Sequence, residues 1–128
     1  MYSEILENYA MGFIDARETA EKLIEAKFPD ILCAALNNSI YENMQRLKVE
    51  EDSFYPALNE VTEIIKGCGC DKEIITREYM QEGILIKEFS VTLYSSWTDR
   101  REKFSFDNFS ICDNRDELIR IKKYIEEN

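Results

Sequence analysis

The hydrophobic pattern of this chain changes period once. Through the first 66 residues apolar side chains recur every three or four positions, and beyond Cys68 they alternate. Ile5, Leu6, Tyr9 and Met11 mark a short amphipathic helix over Ser3–Met11, which Gly12 would close. Asp15 is placed to cap a second helix, with Glu18 three residues on and Ile14 as a staple. Its apolar row is Ala16, Ala20, Leu23, Ile24 and Ala26, and Phe28-Pro29 ends it. Pro29-Asp30 opens a third helix whose stripe is Ile31, Leu32, Ala35, Leu36, Ile40, Met44 and Leu47. Glu50-Glu51-Asp52 reads as a connecting loop, and Ser53 as the cap of a fourth helix. The row of that helix is Phe54, Leu58, Val61 and Ile65; Pro56 is tolerated in its first turn, and Gly67 is the stop.

Glu73 to Tyr79 is short, β-branched and partly alternating, and residues 71–82 admit either a strand or more helix. After the turn Gln81-Glu82-Gly83 comes the clearest strand. Leu85, Lys87, Phe89, Val91 and Leu93 fall on one face, and Ile86, Glu88, Ser90, Thr92 and Tyr94 on the other. A polar turn over residues 95–101 leads to Phe104 and Phe106. The phase then slips to Phe109 and Ile111, as it would if a bulge sat at Asp107-Asn108 and the strand ran on to Cys112. Asn114 and Glu117 read as the cap of a last helix with Leu118, Ile121 and Ile125 inside. Helices followed by strands predict an α+β fold: an N-terminal four-helix region, a small antiparallel meander of about three strands, and a C-terminal helix. At 128 residues, with no linker or repeat, the chain is expected to form a single domain over 1–128.

Charge changes the picture more than composition does. Twenty-six acids against 16 bases give −10, and the first 66 residues hold −7 of it. Such a field repels nucleic-acid phosphates and anionic membranes, so neither is an expected partner, and a DNA-reading helix pair is disfavoured. The partner it attracts is a protein with a basic surface. No apolar run reaches the length of a spanning helix, and Met1-Tyr2-Ser3-Glu4 lacks the basic-then-apolar pattern of an export signal. Reduced thiols and a cytoplasmic location are therefore expected for Cys33, Cys68, Cys70 and Cys112.

Candidate chemistry is sparse. The chain has no histidine, which removes the commonest general base and most nucleophile–base pairs. It has no glycine-rich phosphate cradle either. Cys68-Gly69-Cys70 is the cluster closest to a metal or redox motif, and a Cys₄ zinc site would recruit Cys33 and Cys112. One intervening residue fits zinc poorly, because structural sites usually space their thiols by two to four. No cofactor and no metal are expected, and Cys68 and Cys70 are the residues a metal would use.

Two features favour binding to another protein. Carboxylates lie off the apolar helical rows, among them Glu18, Glu21 and Glu25, while Glu51 and Asp52 stand in the acidic run. Tyr94 and Trp97 fall at a hairpin tip beside Arg100 and Arg101, and these residue types dominate interface hot spots. The expected function is therefore non-enzymatic. It is a small acidic inhibitor, of the immunity or phage anti-defence type, docking on the basic nucleic-acid-binding surface of its target. The alternatives are a homo-oligomeric adaptor subunit and a carboxylate- or thiol-based enzyme.

Overall fold

The computed structural model describes residues 2–128, apart from the side chain of Cys112. The fold is α+β: five helices, a three-stranded antiparallel sheet and a C-terminal helix. The chain divides into two compact units, a helical one over 1–48 with 79–85, and a sheet one over 49–78 with 86–128.

The helical unit contains α1 (Tyr2–Ala10), α2 (Ala16–Glu25) and α3 (Asp30–Leu36), with α4 (Asn38–Val49) contributing all but its last residue. Gly12 closes α1 at φ +79°, where a side chain would be strained. Asp15 caps α2 by accepting from the Glu18 backbone N–H at 2.8 Å, as the cap signature predicts. Ala20, Leu23, Phe28, Cys33, Ile40 and Met44 form the core, and Ile5, Leu6 and Tyr9 pack against it. Met11, placed on the first apolar row, is exposed instead.

The expected third helix is two helices, so the N-terminal region has five rather than four. Asn37 breaks it by adopting extended backbone (φ −161°, ψ 119°), and its side-chain oxygen accepts from the Ile40 N–H. The break re-aims the second half, which buries Ile40 and Met44, while Ile31, Leu32 and Leu36 of the first half stay exposed. Asn37-Asn38-Ser39 was the visible cue, three residues that favour caps over helix interiors.

In the sheet unit, Glu50–Phe54 forms a π-turn that runs directly into α5 (Tyr55–Lys66). The expected loop at Glu50-Glu51-Asp52 is thus helical, and Ser53 is no cap. Its hydroxyl donates to the Val49 carbonyl at 3.1 Å, one turn back. Pro56 does lie in the first turn of α5, and Gly67 is its C-cap.

The sheet is β1 (Asp71–Gln81), β2 (Ile84–Ser95) and β3 (Arg100–Asp107), in the order β1-β2-β3. Residues 71–81 are strand, not helix. Glu82 and Gly83 turn the first hairpin with φ of 53° and 79°, the paired positive values of a two-residue type I′ turn. β2 and β3 pair with Phe89 opposite Phe106, Val91 opposite Phe104 and Tyr94 opposite Arg101. The inner face carries Phe89, Val91, Leu93, Phe104 and Phe106 against Ala57, Val61, Ile65, Ile121 and Tyr124.

One expectation about strand phase holds and one fails. β2 keeps the expected faces: Lys87 meets Glu50 and Tyr55 on the side of Phe89, Val91 and Leu93, and Glu88 meets Arg77 on the other. Ile84 and Ile86, on that other face, are buried as well. The bulge expected at Asp107-Asn108 is absent, because the strand does not run on past Asp107. There Asn108 takes the place of a strand partner. Its side-chain oxygen accepts from the Lys87 N–H at 3.0 Å, and its own N–H donates to the Lys87 carbonyl at 3.1 Å. β3 accordingly ends at Asp107; Phe109 is exposed, and Ile111 and Cys112 begin α6 (Ile111–Glu127). Ser110, not Asn114, caps α6, accepting from the Asp113 N–H at 3.3 Å.

Candidate functional site

Tyr94 flanks the β2–β3 turn and Trp97 occupies it. Tyr94 donates its hydroxyl to Asp99 at 2.8 Å, and Asp99 sits at φ 53°. That carboxylate holds the Tyr94 hydroxyl above its usual pKa, keeping it a donor. The Arg101 guanidinium lies over the Tyr94 ring, 5.5 Å from its centroid. Arg100 pairs with Glu102 and Glu127, each at 3.0 Å, and stacks over Tyr124. On this tied frame Trp97, the sole tryptophan, is 90% exposed. It does not fold back onto the sheet.

The predicted carboxylates are all at the surface. Glu18, Glu21 and Glu25 stand on the outer face of α2, opposite buried Thr19, Ala20 and Leu23. Their spacing places them within one helical stripe, and Glu21 also meets Arg17 at 3.4 Å. Glu51 and Asp52 are exposed on the π-turn. The α2 acids belong to the helical unit; Glu51, Asp52, Tyr94 and Trp97 belong to the sheet unit.

Sequence reasoning missed the first acid of the run. Glu50 is 2% exposed, the most buried carboxylate among the described residues. One carboxylate oxygen accepts from Asn108 at 2.8 Å. The other accepts from the Tyr55 hydroxyl at 3.0 Å and faces the Lys87 ammonium at 3.5 Å. Lys87 in turn donates to the Tyr55 oxygen at 2.5 Å, and its side chain reaches a cleft of about 240 Å³ walled by Phe54, Leu58, Thr76 and Glu78. Beside this cluster, Asn114 donates to Ser53 at 3.0 Å and to the Asp107 carbonyl at 2.6 Å, and accepts from the Asp107 N–H at 3.0 Å. A buried ion pair with every charge matched by hydrogen bonds clamps the π-turn to the ends of β2 and β3. π-turns often mark functional positions, but here the cluster's bonds go to its own neighbours. No local spelling separates Glu50 from Glu51; the extra residue of the π-turn makes the difference.

The cysteines are dispersed. Cys33 is buried in the helical core, where burial pushes its thiol up. Cys68 and Cys70 are half-buried in the sheet unit; the Cys70 N–H donates to the Cys68 sulfur at 3.3 Å, and burial raises the Cys70 thiol. Cys112, weighed as a fourth ligand, has its side chain outside the described residues. Among the described residues no three ligand-type side chains gather, and no helix is long and apolar enough to cross a membrane. No protein-family model, curated protein or solved structure matches the chain.

Proposed function

We propose that the protein is a small acidic protein-binding module, an inhibitor of the immunity or anti-defence type. It acts in the cytoplasm on a partner whose basic surface ordinarily holds nucleic acid. The single observation that supports this reading is Trp97. A tryptophan left 90% exposed forgoes the large stabilisation its burial would supply. It also rises from a turn already ordered by Tyr94, Asp99 and Arg101, so little further ordering is needed when a partner covers it. The acidic surface adds attraction at a distance. Exposed carboxylates on α2 and on the π-turn, within a chain of net charge −10, speed encounter with a basic partner.

The test is capture of partners at low and at high salt, with Trp97 emission followed as the captured protein is titrated back. Raising salt from about 0.1 M to about 1 M shortens the Debye length from about 10 Å to about 3 Å, which should release an electrostatically steered partner. Trp97 emission should shift to the blue as the ring leaves water. A partner that survives high salt and leaves the emission unchanged would remove this reading in favour of an apolar adaptor.

A further inference from the structure

β1 is an edge of the sheet, and its outer side meets no other strand among the described residues. Eight consecutive residues, Asp71 to Glu78, are exposed. Ile74 and Ile75 are 49% and 50% exposed on a strand that natural proteins would ordinarily blunt. The stretch also departs from the acidity of the chain: Lys72 to Glu78 holds two bases and two acids, in a protein of net charge −10.

The two faces of β1 are assigned by its neighbours. Ile75 and Arg77 line a cleft of about 350 Å³ on the open face, with Ser90, Lys103 and Ser105, and Arg77 meets Glu88 at 3.3 Å. Thr76 and Glu78 line the cleft on the helical face with Phe54 and Leu58, and Lys72 donates to the Ile65 carbonyl of α5 at 2.5 Å. Alternation then puts Glu73 with Ile75 and Arg77, and Ile74 with Lys72, Thr76 and Glu78.

A two-fold axis normal to a shared sheet joins two copies of one edge strand antiparallel, and it brings opposite one another only residues of the same face. Centred on Ile75, this operation sets Glu73 against Arg77, Lys72 against Glu78, Ile74 against Thr76 and Ile75 against itself. Every charge from Lys72 to Glu78 then faces its opposite. Shifting the centre to Ile74 leaves Asp71 against Arg77 as the one opposed pair type, and shifting it to Thr76 leaves none. Directly opposed charges of unlike sign stabilise a ladder, and like charges destabilise it. We propose that β1 pairs with β1 of a second copy of this chain in the Ile75-centred register, extending the sheet from three strands to six. The guanidinium of Arg77 has donors enough for Glu88 and for Glu73 of the second copy.

The experiment is sedimentation equilibrium at about 0.15 M salt, where the Debye length of about 8 Å screens the net charges of the two chains more than pairs in contact. Wild-type protein is expected to shift with concentration from the 15.1 kDa chain toward twice that mass. Two charge variants break the register without touching a buried residue. Glu73→Lys with Glu78→Lys makes one strand basic, and Lys72→Glu with Arg77→Glu makes the other acidic. Each alone should stay at single-chain mass, at unchanged far-UV circular dichroism, and their equimolar mixture should regain the doubled mass. A wild type that remains single-chain throughout overturns the proposal. So do variants that associate as the wild type does, and so does a mixture that fails to associate while both variants are folded and the wild type dimerises.

Discussion

Glu50, Glu51 and Asp52 share a chemistry, yet only Glu50 points inward, to Asn108, Tyr55 and Lys87. Removing one partner of a buried pair leaves the other charge uncompensated, so Glu50→Ala should destabilise by about 3–5 kcal/mol. Glu51→Ala and Trp97→Ala remove exposed groups and should each change stability by less than about 0.5 kcal/mol. Urea midpoints at constant slope make the comparison, and equal effects at Glu50 and Glu51 would contradict the assignment. Asp30 provides a pH handle in the helical unit. Its hydrogen bond to the Lys48 ammonium, first, and the attraction of that charge hold its carboxyl below the ordinary value. A depressed carboxyl contributes stability above its unfolded pKa of about 3.9, and this is lost as pH falls through the folded value. The difference in urea midpoint between wild type and Lys48→Met should therefore shrink on acidification. Single residues were the least legible scale in the sequence. Trp97 and the α2 acids stand at the surface, as their types and spacing suggested. The roles of Glu50, Asn108 and Asn114 were not legible, because they depend on partners 21 to 61 positions away.

At the scale of elements, periodicity carried further. The α2 cap, the Pro56 first turn, the Gly67 stop and the Gln81-Glu82-Gly83 turn all stand where local chemistry puts them. The two helical failures share a cause: each involves a departure from the regular helical repeat. Asn37 splits a helix that a stripe of apolar residues made continuous, and the π-turn fuses two that an acidic run made separate. At the end of β3 the Asn108 side chain accepts from the Lys87 N–H and so closes the ladder, a tertiary contact that alternation alone cannot reveal. The hairpin turn offers a clean check of what was legible. Gly83 sits at φ +79°, and an added Cβ would meet no atom within 4 Å, so substitution there tests backbone conformation alone. Gly83→Ala should cost about 1–2 kcal/mol, the price of holding an L-residue in the left-handed region. Glu82 already occupies that region as a non-glycine residue, so Glu82→Gly should be neutral or mildly stabilising in the same melts.

For the whole molecule, net charge is a property of the sequence that folding redistributes in space without changing its sum. The fold class was legible for the same reason, because the switch from helical to alternating period is a sum over many residues. Long-range attraction also depends on summed charge, so no single acid should dominate encounter with a partner. The first 66 residues carry −7, which makes α2 the place to alter that sum with least structural cost. Glu18, Glu21 and Glu25 are exposed and lie opposite the buried row, so changing them leaves the helical core intact. Reversing all three to Lys moves the net charge from −10 to −4, six units for three substitutions. Association with the proposed basic partner should slow about tenfold or more at low salt, and the deficit should close as salt rises. Dissociation should change little, because steering acts on the encounter and desolvated contacts hold the complex. Trp97→Ala should show the reverse: a nearly unchanged on-rate and a faster off-rate, as expected of an anchor that must be pulled back into water. Surface plasmon resonance across a salt series resolves both rates. If triple reversal leaves association untouched while Trp97→Ala still speeds release, the acidity serves solubility and the docking is apolar. If neither rate moves in either variant, the partner meets some other face of the protein.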